Sequence, residues 1–419
     1  MRAPAASLRR LAVLGTARGM AAALGLAGVL LVVRLLTPDQ LGQWSLALAV
    51  QGYALHLGEF GLRSVVTTEA AHAGRLWCRL LKHYLALRLA ISTAVLALTT
   101  AGCALLRPDA VPLVGLVALS ILPIALQLDW LALVDDRARL AAGLLLVRPL
   151  AFLALLVLWP GTIGLLGIAG CFLGAWILAA LLSWTACRRP PSDDAGRVPR
   201  PTRMLRRGTM LAAVTVTNQA QLSADLLVVG WSLGAASAGD YYLASQILLA
   251  GLLFANAAGQ IALARLPALA AQPHLLKAAL RSELLTLLRL AGTAAVAVAL
   301  AGTAAMPFLF GAEHAGAAVP LLWLLPWFVL QHASTLLQAA LAAQKREADA
   351  VRANLLALLV LLAGLAAAAT DATLAAFALA RGVAELTRVL ALRRLLHGQR
   401  LLPRLGIPTL QGAWGVAKR

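Results

Sequence analysis

Residues 37 to 64 have the sequence TPDQLGQWSLALAVQGYALHLGEFGLRS, which begins with a polar turn and continues as an apolar run. A preceding apolar run ends at Arg34, residues 37–40 form the turn, and the second run ends in the polar stretch at residues 59–63. About 20 apolar residues span the hydrocarbon core of a bilayer. The two runs therefore predict a helical hairpin across a membrane.

The composition of the whole chain agrees with this hairpin. Of the 419 residues, 61% are hydrophobic and 13% are charged, which is more apolar surface than a soluble chain of this length needs. No long alternation of apolar and polar residues is present, which argues against a membrane β-barrel. We expect an all-α polytopic membrane protein with about 12 transmembrane helices. Their predicted positions are 11–36, 41–62, 84–106, 110–134, 141–159, 162–185, 208–232, 241–264, 284–310, 316–343, 352–370 and 372–395.

The placement of basic residues predicts the orientation of these helices. With the N-terminus inside, all but three of the 36 Lys and Arg residues fall on the cytoplasmic side, the exceptions being Arg34, Arg107 and Arg381. Lys and Arg are retained on the cytoplasmic side of membrane proteins. Both termini are therefore expected in the cytoplasm, with the protein in the cell inner membrane. The net charge of +19 is then explained by topology and anionic lipids, without nucleic acid as a partner.

The two halves of the chain carry related spacings. The G-x-W-x-x-A spacing from Gly42 recurs as G-x-Y-x-x-A from Gly239, and Leu-Pro at residues 122–123 recurs at 325–326. Parallel repeats of this kind build transporters with the substrate path between the halves. We expect two pseudo-repeated six-helix lobes around a central cavity. The expected divisions are an N-terminal lobe at 1–186, a cytoplasmic linker at 187–207, a C-terminal lobe at 208–398 and a cytoplasmic tail at 399–419.

Three stretches resemble the polysaccharide and O-antigen flippases of the multidrug/oligosaccharidyl-lipid/polysaccharide exporter superfamily. They are the hairpin at 37–71, ADLLVVGWSLGAASAGDYYLASQI at 224–247 and FLFGAEHAGAAVPLLWLLPWFV at 308–329. Trp44 stands where that family usually has Tyr, and residues 59–60 replace its common Asp-Leu. The resemblance implies transport of a lipid-linked oligosaccharide or polysaccharide precursor across the cytoplasmic membrane by alternating access. It implies a lipid-linked glycan and the bilayer as partners, with other polysaccharide-assembly proteins as candidates.

Polar residues inside predicted spans are candidates for the substrate site. Arg18 lies about two turns inside the first span, where a guanidinium fork suits a phosphate. Its alternative role is to extend to the cytoplasmic headgroups. The candidate substrate-binding residues are Arg18, Gln51, Asn218, Gln219 and Gln221.

Intramembrane carboxylates are candidates for ion coupling, because charge within a span is costly and usually functional. Asp225 is expected to bind a proton or sodium ion or to pair with Arg18, with a structurally buried acid as the alternative. Glu59 is a second candidate, with an interfacial position as the alternative. Arg381 and Glu385 are four residues apart on one predicted helix and could neutralise each other.

Two other classes of membrane protein remain open. An ion-coupled drug or cation antiporter of the same superfamily would need deep acidic residues, and a polysaccharide polymerase or ligase would need a large outer loop. The predicted outer loops are all short. The chain has no GxxxxGK[ST] motif, no metal-ligand spacing and no catalytic triad spacing, so we expect no nucleotide-driven pump, no enzyme, no cofactor and no metal.

Overall fold

A computed structural model describes residues 4–73, 77–135, 137–187, 201–252, 255, 273–344 and 346–396. Within these ranges all regular structure is helical, which confirms the predicted fold class. The helices are α1 (Pro4–Leu35), α2 (Pro38–Glu59), α3 (Leu62–Ala73), α4 (Trp77–Leu106), α5 (Val111–Ala118), α6 (Ile121–Ala125), α7 (Asp129–Val134), α8 (Ala138–Val157), α9 (Leu165–Cys187), α10 (Pro201–Ser232), α11 (Ala235–Gly251), α12 (Pro273–Phe310), α13 (Ala318–Ala343), α14 (Glu347–Asp371) and α15 (Leu374–Leu396). Short 3₁₀ turns at Pro108–Ala110 and Ala312–Ala317 precede α5 and α13.

Eight segments of the described chain are long and apolar enough to cross a membrane. They are Val13–Leu35, Leu80–Leu106, Pro108–Val134, Ala138–Val157, Leu165–Cys187, Ala278–Gly302, Ala312–Ala343 and Ala348–Asp371. Large apolar side chains on them face outward; Leu105 and Leu300, for example, are 85% and 78% exposed. Soluble proteins seldom expose so much apolar surface, so the chain is a multi-pass membrane protein.

Four predicted spans fall on helices outside these eight segments: α2, α10, α11 and α15. Three of these helices carry buried polar or charged side chains, such as Gln51 on α2, Asp225 on α10 and Glu385 on α15. These groups lower the mean hydropathy of the helix, and they have partners inside the protein, described below. The span at 241–264 runs past the end of α11 into residues that are mostly outside the described ranges, and the count of twelve stays a prediction.

The hairpin has the turn and the ends that its sequence indicates. Thr37 caps α2: its Oγ1 accepts from the Gln40 N–H at 3.4 Å, and its own N–H donates to Gln40 Oε1 at 3.2 Å. Pro38 occupies the first turn, where its missing N–H has no consequence. α2 ends at Phe60 and Gly61, whose φ angles are 47° and 66°.

The helices form two compact units, Met1–Gln219 and Ala220–Arg419. The division lies inside α10, whereas the sequence places the boundary in the linker at 187–207. Residues 188–200 of that linker and the tail at 399–419 lie outside the described residues. The division into lobes at 1–186 and 208–398 therefore remains a prediction.

In the first unit, α8 packs between α1 and α9, and α2 packs against α4 and α5. The end of α2 also meets the start of α10, because a Cβ on Gly61 would touch the carbonyl oxygen of Gly208 and the side chain of Leu211. In the second unit, α15 packs against both α13 and α14, and α13 also contacts α11 and α12.

The predicted span at 110–134 is broken into three short helices, α5, α6 and α7. Helix α9 bonds to the backbone at the second break: the Leu128 N–H donates to Ser183 Oγ at 3.1 Å, and the Trp184 indole N–H donates to the Leu126 carbonyl at 2.6 Å. Irregular backbone at membrane depth is tolerated where protein groups satisfy it. α9 therefore stabilises this break.

Candidate functional site

The predicted substrate residues of the first unit occupy three helices. Arg18 on α1 is exposed and lies five residues after the start of its apolar segment at Val13. Gln51 on α2 is buried, and its amide donates to Ser120 Oγ at 3.2 Å. Gln219 on α10 is half-buried beside α2, since a Cβ on Gly52 would lie 2.5 Å from its amide nitrogen. Neighbouring α2 and α10 thus carry Gln51 and Gln219.

Asn218 and Gln221 flank Gln219 on α10 and are held differently. Asn218 is half-buried. Gln221 lies in the second unit, is buried, and its amide donates to the Asn354 carbonyl at 2.6 Å. The side-chain oxygen of Gln221 has no hydrogen-bond partner among the described residues. That oxygen is available as an acceptor.

Asp225 is fully buried, and both of its carboxylate oxygens are hydrogen-bonded. Oδ1 accepts from the Leu226 N–H at 2.9 Å, and Oδ2 accepts from the Tyr241 hydroxyl at 2.6 Å and from Arg381 Nη1 at 2.8 Å. The Arg381 guanidinium also stacks over Trp327, with Cζ 3.8 Å from the ring centroid. The charge partner of Asp225 is therefore Arg381, from the same unit, and Arg18 does not have that role.

The expected pairing of Arg381 with Glu385 is wrong. Glu385 instead accepts from Arg388 Nη1 at 3.4 Å and, in the amide orientation that satisfies both groups, from the Gln331 nitrogen at 3.0 and 3.1 Å. Arg388 also donates through Nε to Asn354 Oδ1 at 2.9 Å. Arg381 and Glu385 are neighbours on α15, but α10 and α13 present each of them with a closer partner.

Sequence reasoning missed four members of these clusters: Tyr241, Gln331, Asn354 and Arg388. One indication was available, since Arg381, Glu385 and Arg388 follow one another at helical spacing inside an apolar stretch. Their partners on α10, α11, α13 and α14 could not be assigned without the packing of the helices.

Glu59 is half-buried at the end of α2, close to a second polar cluster. There Arg63 forms an ion pair with Asp129 at 3.1 Å, and Arg88, 2% exposed, donates to the Tyr84 hydroxyl at 2.6 Å. An open cavity of about 620 Å³ adjoins this cluster. Its lining residues are Arg63, Ser64, Thr67, Trp130, Leu133 and Val134.

Two arginines that the orientation count places on the cytoplasmic side lie well inside apolar segments. Arg88 is eight residues into the apolar segment Leu80–Leu106, and Arg148 is near the middle of Ala138–Val157. Each guanidinium stacks on an aromatic ring, Arg88 on Tyr84 and Arg148 on Trp176, and such stacking offsets part of the cost of burying the charge. Counting basic residues by connection cannot detect this stacking.

No group of three or more His, Cys, Asp or Glu side chains in the described ranges is close enough to hold a metal ion. Each unit by itself provides a buried amide and a charge pair: Gln51 and Arg63–Asp129 in the first unit, and Gln221 and Asp225–Arg381 in the second. Such groups can hydrogen-bond a polar solute at membrane depth.

Comparison with known proteins gives one family and one fold. The profile of the family described as "Polysaccharide biosynthesis protein" matches residues 7–270. No curated protein sequence matches significantly. Among solved structures, an inward-facing multidrug resistance MATE transporter of the MOP superfamily superposes with a TM-score of 0.69 at 13% identity, over 90% of this chain and 94% of that one.

Two further structures show the same fold. The lipid II flippase MurJ, in an inward closed conformation, has a TM-score of 0.67 at 14% identity over 92% of this chain and 87% of its own. A MOP superfamily transporter from Pyrococcus furiosus Vc1 (DSM3638) has a TM-score of 0.65 at 12% identity, over 93% and 96%. At these identities the similarity establishes the fold.

Proposed function

The chain belongs to the polysaccharide biosynthesis protein family, and from this we propose that it moves a lipid-linked oligosaccharide or polysaccharide precursor across the cytoplasmic membrane. The match over residues 7–270 carries the proposal. The all-helical membrane fold, similar to that of MOP superfamily transporters, supports it. The proposal places this transporter in the inner membrane, with both termini in the cytoplasm.

The physical task is to carry a polar head through hydrocarbon. Each hydrogen-bonding group left unsatisfied there costs several kcal/mol. Gln51 on α2 and Gln221 on α10 are buried polar side chains within predicted spans, and Asn218 and Gln219 lie beside Gln221 in sequence. We assign these residues, with Arg18, to the polar head of the substrate, while the lipid tail remains in the bilayer. Alternating access then exposes the path to one side of the membrane at a time.

We propose Glu59, in preference to Asp225, as the residue that binds the coupling ion. The guanidinium of Arg381 forms an ion pair with the carboxylate of Asp225 at 2.8 Å. A coupling cation would have to displace that guanidinium. Glu59 is half-buried at the end of α2 and is the coupling candidate with access to solvent.

The test is complementation in a strain that lacks its own lipid-linked glycan flippase. Wild-type protein should restore surface glycan and lower the amount of precursor on the cytoplasmic leaflet. The same strain with a matched level of an unrelated multi-pass protein is the control. Full expression without any restoration, across several glycan types, would contradict the proposal.

The antiporter alternative retains one observation in its favour, the TM-score of 0.69 to a MATE transporter. Against it, the deep carboxylates Asp225 and Glu385 are hydrogen-bonded and paired with arginines. Growth with toxic cations separates the two functions, since an antiporter would protect cells that have no glycan defect.

A further inference from the structure

Arg148 lies at the centre of a membrane helix. It is ten residues after Ala138 and nine before Val157 in α8. At 1.5 Å per residue this is about 15 Å from the first residue, about half of a bilayer core of ~30 Å. Trp176 is likewise the central residue of α9, Leu165–Cys187. The two side chains therefore meet near the middle of their helices.

The side chain of Arg148 faces the interior of the first unit. The exposed positions of α8 repeat at helical spacing and mark its outer side: Arg139, Gly143, Leu150, Ala154 and Val157. Arg148 lies about 150° around the helix from that strip. From that face, and from mid-helix, it cannot reach headgroups along the outer surface as a snorkelling arginine does.

Among the described residues, Arg148 stacks on an aromatic ring and forms no ion pair. Its Cζ lies 4.8 Å from the centroid of the Trp176 ring. Trp176 in turn packs edge-to-face on Phe172, which contacts Trp44 and Phe152 in the same way. Trp176 also contributes a donor, since its indole N–H is buried and has no acceptor among the described residues.

Among the described side chains of the first unit, no carboxylate pairs with Arg148, and Asp129, which lies inside the apolar segment Pro108–Val134, pairs with Arg63 instead. The acidic residues of that unit whose side chains are described all lie at helix ends: Asp39, Glu59, Asp109, Asp129 and Asp135. A guanidinium at the bilayer centre is costly without a counter-charge, and aromatic stacking offsets part of that cost. Two donor groups, the charged Arg148 guanidinium and the Trp176 indole N–H, thus meet near the middle of their helices, and the described part of the chain offers neither of them an acceptor.

We propose that Arg148 and Trp176 form an oxyanion site for the diphosphate of the lipid carrier as the polar head crosses the membrane. This rests on the proposed function and names a contact within it. The planar guanidinium presents paired N–H donors that match phosphate oxygens, and we take the lipid carrier of the proposed substrate to be diphosphate-linked. Arg18 would meet the same group nearer the cytoplasmic end of α1.

The experiment measures binding to the full-length protein in nanodiscs, with undecaprenyl diphosphate as probe and neutral undecaprenol as the matched tail. Wild type should bind the diphosphate about tenfold more tightly than the alcohol, the size of one charge-assisted contact. Arg148→Ala should remove that preference, and Arg148→Lys should keep part of it. Trp176→Phe, which keeps an aromatic ring and loses the indole N–H, should weaken diphosphate binding a few-fold. Arg139→Ala, on the exposed strip of the same helix, is the control and should bind as wild type.

Unchanged diphosphate binding by Arg148→Ala would overturn the site. So would equal losses for diphosphate and undecaprenol, since those indicate a general structural defect. The lysine and phenylalanine variants keep most of the side-chain volume and give a result even where the alanine variant fails to fold. Translocation by wild type in proteoliposomes is measured in parallel. If wild type translocates the substrate normally and Arg148→Ala leaves diphosphate binding unchanged, this inference alone is refuted. If wild type neither translocates the substrate nor prefers the diphosphate, the proposed function is refuted too.

Discussion

At the scale of single residues, the Asp225–Arg381 pair is a fully buried ion pair of the second unit. Its side chains are 0% and 2% exposed, and it links α10 to α15 across 156 residues of sequence. A buried ion pair contributes modest net stability, but removing one partner leaves an uncompensated charge. The pair therefore fixes which helices meet more than it adds to the free energy of folding.

We expect Asp225→Asn and Arg381→Met each to destabilise the protein strongly, by about 3–5 kcal/mol for a broken buried pair. The double variant should recover part of the loss, because neither charge then remains. The measurement is the melting temperature of detergent-solubilised protein. The control is Arg107→Ala, which breaks an exposed pair with Asp109 at 3.7 Å and should cost less than about 1 kcal/mol. Strict additivity of the two single variants would show that the pair is not coupled.

Two substitutions of Arg18 test its role, one that removes the charge and one that keeps the charge but changes the shape of the side chain. Arg18→Ala at normal expression should abolish complementation of a flippase-deficient strain, and Arg18→Lys should retain part of it, since lysine keeps the charge and loses the fork. The readout is surface glycan per unit of protein. Full complementation by the alanine variant would mean that Arg18 only reaches the headgroups.

The sequence was informative where chemistry is local. The turn at residues 37–40 and the end of α2 at Phe60 follow from short-range caps, and the cost of a buried Asp225 is evident from its position in an apolar run. The partner of Arg381 could not be predicted from the sequence. The four-residue spacing to Glu385 is visible there, whereas the position of Asp225 on α10 depends on how the helices pack. The stacking of Arg148 on Trp176 could not be predicted for the same reason, because the two residues lie on different helices.

At the scale of elements, the contact between the end of α2 and the start of α10 depends on two glycines. A Cβ on Gly208 would meet the carbonyl oxygen of Phe60, and a Cβ on Gly61 would meet that of Gly208. Backbone atoms cannot move aside as the end of a side chain can. The two helices approach this closely only because neither residue has a side chain.

Gly208→Ala should therefore destabilise the protein, by about 1–3 kcal/mol for an overpacked contact. Gly143→Ala is the matched control, because it also lies within a helix but has no heavy atom within 4 Å of its added Cβ. It should be neutral or stabilising by roughly 0.5–1 kcal/mol, as alanine favours a helix more than glycine. The comparison uses thermal melting of both variants, and equal melting temperatures would contradict the close contact.

At the scale of the whole molecule, the placement of basic residues predicts a cytoplasmic linker and tail. Reporter fusions just after Ala186 and after Leu396 should both give cytoplasmic signals. The physical reason is the retention of Lys and Arg on the inner side of the membrane. A periplasmic signal from the linker would contradict both the span count and the parallel repeat.

The break between α6 and α7 has a mechanical consequence. A continuous membrane helix resists bending, because opening one of its backbone bonds in hydrocarbon leaves a donor and an acceptor unpaired. At residues 126–128 two such groups are already bonded to Ser183 and Trp184 of α9. We therefore expect this segment to bend more easily at residues 126–128 than a continuous helix would, within the range that the two bonds to α9 allow.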